Sequence, residues 1–188
     1  AMQLAAANGI GCVALANTNH WHRGGTYGWR AAKKGFVFIC WTNTIANMPA
    51  WGAKDARLGN NPLVFALPYG DVAIVLDMAM SQYSFGAVEM HTLKNQQLAV
   101  PGGYDTDGNI TTNPNEIMQS KKGLPIGYWK GAGLSLLLDI LAAILSAGNG
   151  TGAITKQGSE YGLSQVFIAI QLHALDNYKS IETILNQI

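Results

Sequence analysis

From Gly131 to Ser146 the chain is apolar apart from glycines, two serines and a single charge, Asp139. Apolar side chains on all sides of a 3.6-residue repeat mark a helix that is buried rather than amphipathic. The sequence therefore predicts a domain whose other elements close around this helix. Composition points the same way, with 48% hydrophobic residues and only 12% charged, about half the usual charged share. A surface so poor in charge implies that part of it is buried against another subunit. The formal net charge of +1 supplies no field to hold nucleic acid or an anionic membrane. The longest apolar stretch, Leu134 to Ala147, contains Asp139 and reads as too short to span a bilayer.

The 188 residues suffice for one domain with a sizeable core. Ala1 to Asn8 reads as the end of a helix stopped by Gly9, and Ile10 to Ala16 as a short strand. Tyr27 to Lys34 reads as a helix capped by Gly35, and Phe36 to Thr42 as a β-branched and aromatic strand. Asn43 to Pro62 reads as a long loop. Leu63 to Leu67 and Val72 to Met78 read as strands joined across Pro68-Tyr69-Gly70-Asp71. Ser81 to Lys94 is expected to be a helix with Ser81 as its N-cap, and Asp105 to Gly108 a turn. Gln165 to Leu172 reads as a last strand and Ile181 to Ile188 as a final helix. Hairpin-like pairs beside strand–helix alternation predict a mixed α/β fold. Cys12 and Cys40 both lie in apolar runs and are expected to be buried, reduced thiols of a cytosolic protein. The chain opens on Ala1-Met2 in what reads as the middle of a helix, so a segment of a longer polypeptide is expected.

Chemistry concentrates between Asn17 and Trp29. His20, His22, Arg23, three aromatics and three glycines follow directly on an apolar strand. Titratable and aromatic groups crowded into a glycine-rich loop mark a site. His20 and His22 alternate at strand spacing, so both could ligate one metal, yet no third ligand or Cys cluster accompanies them. Beside Arg23, a histidine can instead donate a proton to a carbonyl oxygen while the guanidinium holds a carboxylate. Gly9-Ile10-Gly11-Cys12-Val13-Ala14 matches the dinucleotide fingerprint in letters only. That motif follows a strand and opens a helix, and here the order is reversed. Pro125 to Gly133 leads into the apolar helix, where glycines, a helix start and Lys130 suit an anion. Asp77, closing an apolar strand, needs a partner if buried. It could bind sugar hydroxyls, or cap Ser81 or a neighbouring amide.

Taken together, the segments Asn19–Trp29, Ile39–Leu63, Val75–Gly86 and Leu124–Leu141 resemble the malate/L-lactate dehydrogenase family, whose members bind NAD(P) without a Rossmann fold. The resemblance extends over essentially the whole chain. It implies a largely antiparallel sheet flanked by helices, a homodimer, and an NAD(P)H-dependent reductase of 2-oxo acids. It places the nucleotide along Ala73, Ile74, Val75, Leu76, Asp77, Met78 and Ala79, and against Trp129 and Lys130. It makes His20 the acid/base or carbonyl-polarising group, with Arg23 a weaker candidate for the substrate carboxylate, and it requires no metal. His20-Trp21, Arg23-Gly24-Gly25 and Tyr128-Trp129-Lys130 resemble the members that reduce a 2-oxo sugar acid with NADH; NADPH stays open. The family's Ser-His-Gly and Gly-His-Glu segments do not occur here, so residues 1–188 are expected to be the central nucleotide- and substrate-binding portion of a longer reductase. Two other readings remain: a dehydrogenase of another 2-hydroxy acid such as malate, lactate or ureidoglycolate, and a non-catalytic nucleotide-binding fragment.

Overall fold

A computed structural model describes residues 1–188. The first half runs α1 (Met2–Asn8), β1 (Ile10–Thr18), α2 (Gly25–Ala32), β2 (Phe36–Thr42), β3 (Ala46–Pro49), β4 (Ala56–Gly59), β5 (Leu63–Tyr69), β6 (Val72–Met78) and α3 (Phe85–Leu93). The second runs β7 (Gly103–Tyr104), β8 (Ile110–Thr111), α4 (Pro114–Ser120), α5 (Trp129–Ser146), α6 (Thr151–Lys156), β9 (Leu163–Gln171) and α7 (Ile181–Leu185). Five strands form the main sheet in the order β1-β9-β2-β5-β6, and every neighbouring pair in it is antiparallel. The fold is mixed α/β, with a sheet flanked by helices. Gly9, at φ 82°, ends α1, and Gly11 lies inside β1. The glycines that imitate a dinucleotide fingerprint therefore stand on a helix-to-strand passage.

Because side chains alternate between sheet faces, the strand register sorts the core into transverse rows. Val13, Phe167, Cys40, Val64 and Asp77 form one row across all five strands. The parallel row of Gly11, Ala169, Phe38, Ala66 and Val75 lies on the same face. α1 and α2 close over this face, around a core that includes Ala5, Trp21, Ala31, Phe38, Cys40, Val64 and Ala66. On the opposite face the row of Ala14, Val166, Trp41, Leu63 and Met78 packs under α5 together with Leu138 and Ala142. A third, smaller cluster of Val88, Leu98 and Ile117 ties α3 to α4.

The helix α5 departs from its sequence expectation. Only Gly131, Ala132, Ser135, Leu138 and Ala142 are buried, while Leu137 is 56% and Ile144 70% exposed. All-round apolarity says what each face is made of, not which face this chain covers. In the neighbouring sheet row of Cys12, Ile168, Ile39, Phe65 and Leu76, Ile168 and Ile39 pack against the same core, while Phe65 and Leu76 are exposed as well. At 18 residues and mean hydropathy 1.5, α5 is long and apolar enough to cross a membrane by length and composition, which corrects the expectation that no stretch reaches that size. It is docked on protein along one face. Trp41 Nε1 donates to the Leu138 carbonyl at 3.0 Å, and Asp139 accepts from Asn43 and from the Thr151 amide, each at 2.8 Å.

Several smaller expectations also shift. The stretch from Asn43 to Pro62 holds the β3–β4 hairpin rather than a plain loop. Pro68 and Tyr69 belong to β5, leaving Gly70-Asp71 as the turn into β6. α3 starts later than expected because Ser84, not Ser81, caps it; Ser84 Oγ accepts the Ala87 amide at 3.2 Å. Ser81 is buried and its hydroxyl donates to the Tyr83 carbonyl. Cys12 is exposed, and only Cys40 is a buried thiol. α4 and α6 were not anticipated, although Asn113 caps α4 through the Asn115 amide with Pro114 in its first turn.

Candidate active site

Antiparallel pairing brings the exits of β1, β2 and β6 and the entries of β9 and β5 to one end of the sheet. The loop after β1, carrying His20 and Arg23, stands beside the segment that enters β9 and the residues that leave β2. Trp21 anchors this loop. It is 5% exposed, stacks with Tyr27 at 6.0 Å between ring centroids and meets Phe167 edge-on at 6.2 Å. Gln165 Nε2 donates to the Asn19 carbonyl at 3.0 Å and fixes the loop's first residue.

Held this way, His20 presents its ring at the surface. The His22 backbone N–H donates to His20 Nδ1 at 3.0 Å, so Nδ1 is the acceptor and the neutral ring carries its proton on Nε2. His22 takes a left-handed backbone, φ 60°, which turns its amide back onto the preceding ring. His20 Nε2 lies 3.9 Å from Glu160 Oε1. The two histidine rings stand edge to face, 5.8 Å between centroids. No group of three or more His, Cys, Asp or Glu side chains gathers there or elsewhere in the chain.

Asp77 ends the Val13–Val64 row at the edge of the sheet, below the start of α2. Its Oδ2 accepts the Gly25 amide at 2.7 Å, the charge-assisted bond that an exposed helix N-terminus favours. The neighbouring-amide role is thus filled, and Ser81 is not its partner. Gly25 is required there, because a Cβ would stand 2.9 Å from that same oxygen. Burial, and to a lesser extent the charge of Asp77, push the Cys40 thiol up to about 12, so Cys40 stays protonated and is no nucleophile. Arg23, Gly25, Thr26, Trp29, Val75 and Asp77 line an open groove of about 480 Å³ along β6. Of the residues singled out from sequence, the groove unites Arg23, Val75 and Asp77. Ala73, Ile74, Leu76, Met78 and Ala79 continue the same edge strand and its exit.

Trp129 and Lys130 lie outside that groove, on the α5 side of the sheet. The helix entry is tied to the β6 exit through the Ile126 amide, which donates to the Met80 carbonyl at 2.8 Å. Tyr128, at φ 59° and ψ −111°, holds a strained backbone of the kind worth about 1–3 kcal/mol. Its ring packs on Trp51, 4.6 Å between centroids. Lys130 Nζ sits 5.9 Å from the exposed Trp129 ring. Glu160 and Trp51 were not singled out from sequence; Glu160 lies between α6 and β9, where no periodic or motif signal marks it. A second cavity, of about 500 Å³, opens at the other end of the sheet among Lys33, Tyr69, His173 and Glu182, away from all of these groups.

The model of the malate/L-lactate dehydrogenase family matches residues 1–188. The chain belongs to this family. It is 52% identical over 176 residues to the 2,3-diketo-L-gulonate reductase of Klebsiella pneumoniae, a match that covers 93% of this chain and 53% of that protein. The chain therefore spans about half the length of the curated relatives it matches. Two solved structures superpose over nearly the whole chain. Sulfolactate dehydrogenase from Methanocaldococcus jannaschii does so with TM-score 0.84 and 29% identity, covering 100% of this chain and 56% of that one. The Δ1-piperideine-2-carboxylate reductase from Pseudomonas syringae pvar. tomato gives 0.86 and 26%, covering 99% and 58%. In this malate/L-lactate dehydrogenase family chain, the letters of the dinucleotide fingerprint stand on a helix-to-strand passage.

Proposed function

We propose that the chain is the nucleotide- and substrate-binding portion of a reductase that converts 2,3-diketo-L-gulonate to 3-keto-L-gulonate with NADH. The observation that carries the reading is the 52% identity to 2,3-diketo-L-gulonate reductase along 93% of the chain. The groups at the site end of the sheet suit a nicotinamide dinucleotide. Glu160 faces His20 Nε2 and Asp55 pairs with Arg57, which leaves Arg23 and Lys130 without carboxylate partners and available to phosphate or carboxylate. When bound, the cofactor supplies the hydride that is added to the C2 carbonyl carbon.

The chain's own residues do the rest. Residues Ala73 to Ala79 offer an edge strand with one free row of backbone groups, and Trp129 and Lys130 offer an aromatic face and a cation. Asp77 keeps Oδ2 on the Gly25 amide, so Oδ1 is the atom for a ribose hydroxyl. Arg23 takes the substrate carboxylate. His20 directs Nε2–H at the substrate carbonyl oxygen, where charge develops in the transition state. The working form is read as a homodimer, supported by the apolar face outside α5.

The test uses protein of the relatives' length. His20→Ala is expected to abolish turnover and leave nucleotide affinity intact; near-normal turnover overturns the role. The differing names of the solved structures favour a second reading, a dehydrogenase of another 2-hydroxy acid such as malate, lactate or ureidoglycolate. A substrate panel run with NADH and with NADPH separates the two. The third reading, a non-catalytic nucleotide-binding fragment, draws on the half-length match; nucleotide titration of residues 1–188 beside protein of the relatives' length tests it, and binding without turnover favours it.

A further inference from the structure

We infer that Glu160 is the positioning residue of His20, holding the imidazole as a neutral Nε2–H donor before substrate arrives. The inference deepens the reading of His20 above and rests on it. A hydrogen-bond donor aimed at a developing oxyanion must keep its proton on one defined nitrogen and its ring in one orientation. Two contacts from opposite sides of the ring meet that requirement here. The His22 amide donates to Nδ1 at 3.0 Å, an exposed bond that weights the ring against a proton on that nitrogen and leaves the second contact to fix it. On the other side, Glu160 Oε1 faces Nε2 at 3.9 Å. That separation is longer than a hydrogen bond, so the carboxylate acts through space on the Nε2–H dipole and leaves Nε2–H open to a carbonyl oxygen. The His20 side chain is 50% exposed and that of Glu160 only 27%, so the carboxylate is the more fixed partner.

Glu160 is itself held. Its Oε2 accepts the Ile45 amide at 3.3 Å, and the next amide, Ala46, donates to Thr155 Oγ1 at 3.0 Å. Successive backbone donors leaving β2 thus bind the α6–β9 segment on which Glu160 rides. The Gln165 bond to Asn19 fixes the start of the His20 loop to the same segment. Three strand ends therefore converge on one imidazole: β1 supplies it, β2 anchors its carboxylate, and the entry to β9 carries that carboxylate. A residue that only solvated a loop would not need its second oxygen bonded to a backbone amide.

The test compares Glu160→Ala and Glu160→Gln with wild type and His20→Ala, again in protein of the relatives' length. Glutamine keeps an acceptor for Ile45 and a neutral acceptor toward Nε2. Glu160→Ala is expected to lower kcat about tenfold with KM within about twofold, as misplacement of a catalytic group does, and Glu160→Gln to recover most of that loss. Nitrogen-15 spectra of the His20 ring give a readout independent of turnover: a single Nε2–H tautomer in wild type and a mixture of tautomers in Glu160→Ala. Circular dichroism checks that each variant is folded; if alanine is not tolerated, Glu160→Asp, whose shorter side chain draws the carboxyl back from Nε2, carries the test with the same two readouts. An unchanged tautomer in Glu160→Ala overturns the inference, as does kcat within twofold of wild type while His20→Ala is inactive. If His20→Ala itself keeps turnover, the functional reading of His20 falls, and the ring spectra still decide whether Glu160 holds it.

Discussion

The carboxylate of Asp77 accepts the backbone N–H of Gly25 at 2.7 Å, joining the edge of the sheet to the first turn of α2. That bond fixes the start of the helix following the His20–Arg23 loop. Asp77→Ala is expected to destabilise the chain by about 1 kcal/mol, the usual worth of a lost helix cap, read as a lower denaturation midpoint. The same substitution removes the lesser of the two causes that raise Cys40. Thiol titration should find Cys40 lower than in wild type, and still above its ordinary 9.0 because burial remains.

Gly28 sets how closely α2 lies on the sheet. A Cβ there would stand 2.9 Å from both the Ala66 Cβ and the Val64 Cγ1. Alanine would ordinarily help a helix interior by about 0.5–1 kcal/mol, but overpacking costs about 1–3. Gly28→Ala should therefore lose roughly 1 kcal/mol, as the larger of these effects wins; a rise in the melting temperature would mean that the helix can lift without cost.

The two faces of α5 should respond differently. Leu138 is 5% exposed and Ile144 is 70% exposed. Leu138→Ala should cost about 2–5 kcal/mol, while Ile144→Lys in this chain should stay within about 0.5 kcal/mol. Urea unfolding of the two variants side by side checks the contrast.

Acid should open the β7–β8 turn. Asp105 accepts both the side-chain amide and the backbone N–H of Asn109, at 3.0 and 2.8 Å, and these bonds hold its carboxyl below its ordinary 3.8. A depressed folded value means the carboxylate contributes in full above 3.8 and loses its contribution as the pH falls through the lower folded value. The Asn109 amide resonance, followed through an acid titration, should move over that lower range and not near neutrality.

Local signals were legible wherever one short segment decides the outcome. Gly9 ends α1, Phe36–Thr42 is β2 to the residue, and Val72–Met78 is β6, because caps, turns and β-branched runs act on neighbours. Ser81 and Ser84 show the limit of that logic. Either hydroxyl could cap α3, and burial of Ser81 against the rest of the fold decided between them. The β3–β4 hairpin was hidden by the prolines and asparagines of its segment, and its pairing is irregular in register. At the site, His20, Arg23 and Asp77 stood out by residue type. Glu160 did not, since its meaning comes only from the antiparallel neighbours β1 and β9. The burial of α5 was misjudged for a related reason: periodicity reports the chemistry of a helix surface, and tertiary contact decides how much of it meets water.

The bare face formed by α5 and the row ending in Phe65 and Leu76 also has a calorimetric consequence. Apolar surface that is already hydrated in the native state adds nothing to the heat capacity gained on unfolding. This chain should therefore unfold with an increment below the roughly 12–15 cal/mol/K per residue of a closed domain. Any surface that settles on the face recovers the difference as a negative heat-capacity change of association. Titration calorimetry at two temperatures would see the binding enthalpy grow more favourable on warming.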